Sequence, residues 1–185
     1  MATRAGKDLL TRDDWTAAAL RALADGGVAA IAVDPLARGL GVSRGSFYWH
    51  FGGRDELVAA TLDRWERENT TEPLADAVAI ADPVQRLRAI LHRVYQRPAD
   101  RIELVLASIA AEPAVAATVA RVTETRLALL RSVFDDLGLS ATESRQRAWL
   151  AYGFYVGHHQ LGRNPAVRRR RPKDLEFLVE LLTHH

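Results

Sequence analysis

The feature that most constrains the fold is a run of five consecutive ring-bearing residues, Phe47 to Phe51, in the stretch GVSRGSFYWHFGGRDEL. Five such residues cannot share one helical face, because neighbours on an α-helix point about 100° apart. Phe47 and Phe51 are four residues apart and can be buried together. Tyr48, Trp49 and His50 are then left largely outside. Exposed rings in such number indicate a binding surface.

The segment before this run has the apolar periodicity of an amphipathic helix. Between Thr11 and Asp25, one helical face is formed by Trp15, Ala18, Ala19, Ala22 and Leu23. We expect Thr11 to cap the start of this helix and Gly26-Gly27 to end it.

Two short helices follow, with the proportions of a helix-turn-helix. Asp34 is expected to cap the first, with Pro35 at its first helical position and Gly41 as a left-handed C-cap. Ser43 is expected to cap the second, from Arg44 to His50. In such a motif the second helix lies in the DNA major groove, with its N-terminal residues at the base edges.

Helical signals continue along the rest of the chain, and no convincing alternating strand is found. Asp55-Glu56 opens a helix to about Asn69, before a break at TTEP. Further helices are predicted over about 82–97, 100–110, 113–137, 140–161 and 172 to the end. The sequence thus predicts an all-α fold of about nine helices. Residues 1–60 would form a three-helix, helix-turn-helix DNA-binding domain, and residues 61–185 a second helical domain.

The joint pattern LARGLGVSRGSFYWHFGGRDEL resembles the N-terminal signature of the tetracycline-repressor (TetR) family of bacterial transcriptional regulators. The resemblance runs from about Trp15 to Trp65 and includes the Ala18-Ala19 pair, Gly26, the Leu36-Ala37 step, Gly41-Val42-Ser43 and Phe47 to Phe51. It implies a one-component DNA-binding regulator, in most members a repressor. Such a protein binds a palindromic operator in double-stranded DNA as a homodimer, and a small-molecule effector releases or modulates it. The resemblance thus implies that residues 61–185 form a helical effector-binding and dimerisation domain.

The resemblance also implies DNA contacts. Arg44 occupies the position of a residue that contacts a base in this family, and guanine is the expected base. Tyr48 and His50 occupy positions that contact phosphate groups. Arg54 stands where the family usually has Lys and would form a phosphate site with the helix N-terminus. Ser43 has two interpretations, helix cap and phosphate donor. The full predicted DNA-binding set is Ser43, Arg44, Gly45, Ser46, Tyr48, Trp49, His50 and Arg54.

Two departures from the family pattern affect this surface. The second helix begins with Val33-Asp34-Pro35 instead of Thr or Ser followed by a polar or basic residue, and an acid there could repel DNA. Gly52-Gly53 replaces a more usual polar pair. Arg4, Lys7 and Arg12 of the N-terminal arm either add DNA contacts or have no such role.

The helix predicted from Thr142 to Leu161 is surrounded by apolar residues after Ala148, so it must be covered on more than one side. By resemblance, it would join the last helix in a four-helix interface across a two-fold axis. The alternative is a core within one chain. The candidate interface residues are Trp149, Gly153, Val156, Gly157 and Gln160.

A small apolar or aromatic effector of unknown identity would bind among the central helices, again by resemblance. The candidate contacts, each of which could also be an ordinary core residue, are Leu91, Tyr95, Leu104, Ser108, Val122, Leu129, Tyr152 and Tyr155. His158-His159 point about 100° apart and cannot share a metal ion. No metal or cofactor is predicted. Arg168 to Arg171 is interpreted as a solvated connector.

Several function classes are disfavoured by what the sequence lacks. No apolar run approaches the ~20 residues of a membrane span. There is no cysteine, which makes a cytoplasmic location the default. No nucleophile triad, phosphate loop or carboxylate pair has supporting spacing, so we expect no enzyme. The net charge of +2 is too small to indicate nucleic-acid binding by itself. A helical scaffold that binds protein through the aromatic run remains the other candidate.

Overall fold

The computed structural model describes residues 10–96, 101–161 and 172–184, and within these ranges it contains helices and no strand. The predicted all-α fold is confirmed. The ten α-helices of these ranges are α1 (Arg12–Gly26), α2 (Val33–Leu40), α3 (Arg44–Tyr48), α4 (Arg54–Glu66), α5 (Glu72–Val78), α6 (Pro83–Gln96), α7 (Arg101–Ser108), α8 (Pro113–Asp136), α9 (Ala141–Leu161) and α10 (Pro172–Thr183). A 3-10 turn (Val28–Ala30) and a π-helical turn (Arg67–Thr71) complete them.

The chain divides into two compact units, Met1–Trp65 and Glu66–His185. In the described part of the chain, no single helix is long and apolar enough to cross a membrane. One pair, α7 and α8, passes that test only when its members are joined across a bend of 115°.

In the first unit, α1 begins as the sequence predicts. The Thr11 side chain accepts a hydrogen bond from the Asp14 N–H, and the Asp14 carboxylate accepts one from the Thr11 N–H. This capping box satisfies two backbone donors at the helix start. The bonds from Thr11 lower the pKa of Asp14. Trp15 on this helix is fully buried, with its ring 5.3 Å from that of Phe47 in an edge-to-face contact.

Helix α2 differs from the prediction at its start. Its N-cap is Ala32, with extended backbone, and Asp34 lies within the first turn instead of capping it. The predicted cap was therefore wrong by two residues, and the Asp34 side chain is left exposed on the helix surface. At the other end, Gly41 adopts the predicted left-handed conformation, with φ 70° and ψ 30°. That conformation favours glycine because it lacks a Cβ.

Helix α3 is shorter than predicted, since it ends at Tyr48 instead of His50. The N–H groups of His50 and Phe51 both bond to the Phe47 carbonyl, which closes the chain into a turn. Ser43 occupies the N-cap position, but its hydroxyl makes no capping hydrogen bond.

In the second unit, the predicted break at TTEP is wrong, because the chain stays helical through the π-helical turn and α5. Pro73 has no N–H to give to the carbonyl four residues earlier, that of Asn69. The guanidinium of Arg126 donates to this Asn69 carbonyl instead, at 3.2 Å. The helix ends later, before Asp82, whose side chain accepts from the N–H groups at the start of α6.

The core of the second unit lies between α6, α8, α9 and α10. Its buried members are Leu87, Leu91, Leu130, Val133, Phe134, Ala148, Ala151, Leu175, Val179 and Leu182. Of these four helices, α6, α8 and α9 also line the cavity described below, together with α5, α7 and the π-helical turn.

Candidate nucleic-acid interface and ligand cavity

The aromatic run divides between inside and outside as its helical spacing predicts. Phe47 and Phe51 are 0% and 2% exposed and stack with ring centroids 5.5 Å apart. Tyr48 is 53% exposed and Trp49 is 89% exposed. Of the other predicted DNA contacts in this run, Ser43, Arg44 and Gly45 are exposed, and Ser46 and His50 are half-buried. The buried pair thus fixes α3 to its unit and leaves the other rings facing solvent.

Arg44, the predicted base reader, has two partners on the outer surface. Its Nη2 donates to the Tyr48 hydroxyl at 3.2 Å, and its Nε lies 3.7 Å from an Asp34 carboxylate oxygen. The hydrogen bond to Tyr48 and the Asp34 charge raise the pKa of Arg44. Both side chains of the ion pair are more than half exposed. The guanidinium is therefore charged, oriented and accessible.

Arg54 has a structural role that the sequence did not reveal. Its Nε donates to the Ile31 carbonyl at 2.7 Å, and its Nη2 donates to the Val28 carbonyl at 2.6 Å. These bonds tie the 3-10 turn to the start of α4. The phosphate site predicted at this helix end would have to use the Nη1 group and backbone N–H groups alone.

Arg12 is likewise engaged within its unit. It donates to the His50 carbonyl and to Glu56, and its guanidinium lies 4.2 Å from the Phe51 ring centroid. Glu56 in turn accepts from the Gly52 N–H at 2.7 Å. The Gly52 N–H and then Arg12 lower the pKa of Glu56. No local sequence signal links residues so far apart in the chain.

A cavity of about 490 Å3 lies within the second unit, lined by residues between Asn69 and His159. Four predicted effector contacts line it, namely Leu91, Leu129, Tyr152 and Tyr155. Leu104, Val122 and Ser108 are not among its lining residues, and the Ser108 hydroxyl is exposed and bonded to the Val105 carbonyl. The side chain of Tyr95 lies outside the described residues.

Five charged residues also line the cavity, and none of them was predicted: Asp76, Arg93, Arg101, Glu103 and Arg126. The polar end described below is formed by Arg126, Glu103 and Tyr155. Arg126 makes a two-point ion pair with Glu103 and also donates to the Tyr155 hydroxyl at 3.1 Å. The side chains of Arg126 and Glu103 are only 11% and 16% exposed. Charged residues in helices are ordinarily solvated, so their positions in the sequence gave no sign of burial.

Burial and neighbouring groups shift two pKa values at this end of the cavity. Burial raises the pKa of Tyr155, so its hydroxyl is neutral at ordinary pH and can donate or accept. Burial by itself lowers the pKa of Arg126, but the neighbouring Tyr155 and Glu103 outweigh it and raise that pKa overall. The guanidinium is therefore charged, and the Glu103 carboxylate balances it.

The predicted interface residues of α9 lie on an exposed face. Trp149 and Val156 are 61% and 46% exposed, and Gln160 is exposed as well. A Cβ added at Gly153 or Gly157 would meet, among the described residues, no atom within 4 Å beyond the nearby backbone of α9 itself. On α10, Phe177 and Leu181 are also exposed. Arg4, Lys7 and Arg168 to Arg171 lie outside the described residues.

Together these features define a helical protein with a helix-turn-helix unit and a second helical unit that encloses a cavity. Residues 16–61 match the model of the family described as bacterial regulatory proteins, tetR family. The predicted resemblance to this family is thus confirmed.

Two curated relatives are similar over part of their length. The chain is 35% identical over 86 residues to the HTH-type transcriptional regulator TtgR of Pseudomonas putida, and equally to the probable regulator ArpR of the same species. The matched stretch covers 46% of this chain and 41% of each relative.

Solved structures share the fold over nearly the whole chain. The structure of AibR in complex with isovaleryl coenzyme A and operator DNA has a TM-score of 0.71 at 16% identity, covering 93% of this chain and 97% of that one. A transcriptional regulator from Rhodococcus has a TM-score of 0.71 at 23% identity, covering 94% of each. The multidrug binding protein EbrR complexed with malachite green has a TM-score of 0.67 at 23% identity, covering 93% and 95%.

Proposed function

We propose that this chain is a one-component transcriptional regulator, a repressor, that binds a palindromic DNA operator as a homodimer and responds to a small-molecule effector. The observation that carries the proposal is the exposed row of Arg44, Tyr48 and Trp49 above the buried Phe47 and Phe51. This row stands on the second helix of a helix-turn-helix, within the residues that match the family model. The protein would act in the cytoplasm and would not be an enzyme.

The chemistry of the exposed row suits duplex DNA. Arg44 presents a charged, planar fork that can bond to O6 and N7 of guanine. Tyr48 and the polar groups beside it would contact phosphate and set the register of α3 in the major groove. Trp49 offers a fully accessible ring to the sugar or to a thymine methyl group.

We expect a dimer because one recognition helix contacts too few base pairs to be specific by itself. Two such helices, separated by about 34–36 Å, read the two halves of a palindrome. The exposed apolar face of α9 and α10 supports this assembly, because Trp149 and Phe177 would be buried by a second copy. The open space at Gly153 and Gly157 allows another helix to approach closely.

The cavity supports effector binding. Its volume of about 490 Å3 lies in the range of small-molecule sites. Its walls are mainly aliphatic, with the rings of Tyr152 and Tyr155 5.6 Å apart at one side. An effector that binds the form with low DNA affinity more tightly would lower operator affinity by that difference, and DNA would weaken effector binding equally.

The test is selection of duplexes from a random pool by the wild-type protein, followed by anisotropy titrations at several salt concentrations. We expect a palindromic sequence to emerge. Arg44→Ala should bind it about 1–3 kcal/mol more weakly and lose selectivity at one base position of each half-site. Arg21→Ala, which removes the same charge from the exposed face of α1, is the matched control.

If the chain were instead a scaffold that binds protein through the exposed rings, we would expect the opposite result in the DNA titrations. Its binding to DNA would be weak, equal on all sequences and unaffected by Arg44→Ala. If the selection yielded no preferred duplex, the proposed function would be wrong.

A further inference from the structure

Arg126 contacts two parts of the second unit, the cavity and the π-helical turn Arg67–Thr71. It lines the cavity, and it also bonds to the π-helical turn that follows α4 directly in the chain. An arginine side chain has five N–H groups. All five have acceptors here: Thr70 at Nε, Glu103 and Tyr155 at Nη1, and Asn69 and Glu103 at Nη2.

Arg126 holds the turn through two bonds, one to the Thr70 hydroxyl at 3.1 Å and one to the Asn69 carbonyl at 3.2 Å. Pro73 cannot give this carbonyl the N–H that a regular α-helix would supply, and the guanidinium donates to it. Wide turns of the π type inside helices are frequent at functional sites. The conformation of this turn therefore depends on where the cavity holds the Arg126 side chain.

A ligand cannot bond to Arg126 without displacing one of its partners, because no N–H group is spare. An acceptor on a ligand in the cavity would compete with Glu103, Tyr155 or the Asn69 carbonyl itself. We propose that Arg126 is the positioning residue that couples the polar end of the cavity to the turn Arg67–Thr71, and that acceptor-bearing ligands act by exchanging its partners. That this exchange alters operator affinity rests on the proposed function.

A second arginine of the same helix supplies a matched control. Arg121 also holds this part of the chain, because its Nε donates to Glu66 Oε1 at 3.0 Å and its Nη2 donates to Glu66 Oε2 at 2.5 Å. Arg121 is not among the residues that line the cavity. A comparison of Arg121 and Arg126 variants therefore distinguishes an arginine that only stabilises this segment from one that also contacts the cavity.

The experiment uses Glu103→Gln as a change confined to the cavity end of the network. Its readout is amide hydrogen exchange over residues 66–78 in the full chain. Loss of a charge-assisted bond should weaken the hold of Arg126, and exchange over this segment should become about ten- to a hundredfold faster. The effect should vanish when Arg126→Met is already present and persist when Arg121→Met is present.

Thermal unfolding verifies that each variant is folded, and Arg126→Lys replaces Arg126→Met if the latter is not. Lysine keeps the charge but lacks the planar fork, so it too should abolish the response to Glu103→Gln. A response of the same size with and without the Arg126 guanidinium would overturn the coupling, as would no response in the wild-type background.

Operator affinity of the same variants tests the regulatory consequence. We expect Glu103→Gln to change affinity for the selected duplex severalfold, and only when Arg126 is intact. Coupled exchange with unchanged affinity would refute the regulatory half of the inference. Absence of any selected duplex would instead refute the proposed function and leave the exchange result standing.

Discussion

Two arginines show how differently the two units use the same side chain. Arg44 in the first unit is 62% exposed and has one hydrogen bond and one ion pair longer than 3.5 Å. Arg126 in the second is 11% exposed and has five hydrogen bonds. The first can release its partners to meet DNA at little cost. The second cannot lose one without leaving a buried charge incompletely paired.

The comparison teaches that accessibility, not residue type, separates a binding arginine from a coupling one. Surface ion pairs contribute little to stability, so changes at Arg44 should affect DNA binding and hardly alter folding. Changes at Arg126 should instead lower the stability of the folded protein, because this arginine is buried among its own partners. The predictions below test that division.

The largest expected effect is that of Arg126→Met on stability. Glu103 would remain buried without its partner, so the free energy of unfolding should fall by about 3–5 kcal/mol. Arg121→Met also leaves a carboxylate that is only 16% exposed, that of Glu66, but the arginine removed is 49% exposed, so the loss should be smaller, about 1–2 kcal/mol. Urea denaturation followed by circular dichroism measures both. Equal losses would mean that burial does not distinguish the two pairs.

Arg54 should behave as a structural residue although it lies in the DNA-binding unit. Arg54→Met removes two hydrogen bonds to the carbonyls of Val28 and Ile31, and we expect stability to fall by about 1–3 kcal/mol. Arg38→Met, at an exposed position of α2, provides the comparison. If Arg54→Met left the denaturation midpoint unchanged but reduced the salt dependence of DNA binding, its contact would be with phosphate.

Asp34 should have a smaller effect, and one on DNA binding alone. Removing its carboxylate frees Arg44 and takes a negative charge away from the reading surface. Asp34→Asn should therefore raise affinity for random duplexes about two- to fivefold at low salt. In the Arg44→Ala background the gain should shrink, as anisotropy titrations of the double variant can show. An undiminished gain there would mean that Asp34 acts on the DNA independently of Arg44.

The smallest effect concerns acid stability at Glu56. Its pKa in the folded protein is lowered from the ordinary 4.5, so its stabilising contribution is present above that pH and is lost as pH falls through the folded value. Thermal unfolding between about pH 6 and pH 3 should show a shallower acid decline in Glu56→Gln than in wild type. Asp55→Asn, a fully exposed neighbour, should retain the wild-type decline.

Sequence patterns over a few residues were sufficient to predict most of the helices and exposed side chains of the first unit. Spacing alone placed Phe47 and Phe51 inside and Tyr48 and Trp49 outside, and Gly41 marked the turn by its need for a left-handed backbone. Thr11 and Asp14 made the predicted cap because both partners lie within one helical turn. These features depend on neighbours a few residues apart, which is the range over which sequence patterns are informative.

The sequence was less informative where distant residues meet. It could not show that Arg54 reaches Val28 and Ile31, or that Arg12 reaches Glu56. At TTEP, Pro73 predicted a break, yet the chain stays helical, and Arg126, more than fifty residues later, donates to the Asn69 carbonyl that a proline cannot serve. Four of the seven proposed effector contacts with described side chains line the cavity. Apolar periodicity identifies a buried face but does not distinguish a core residue from a residue of the cavity wall.

The sequence by itself thus determined the helical fold, the helix-turn-helix and the exposed row that would read DNA, since each follows from local spacing and backbone preference. Only the tertiary structure decided which arginines are free to bind and which are committed to their own chain. The reason is physical: a guanidinium will pair with any acceptor in reach, and packing alone decides which acceptors those are.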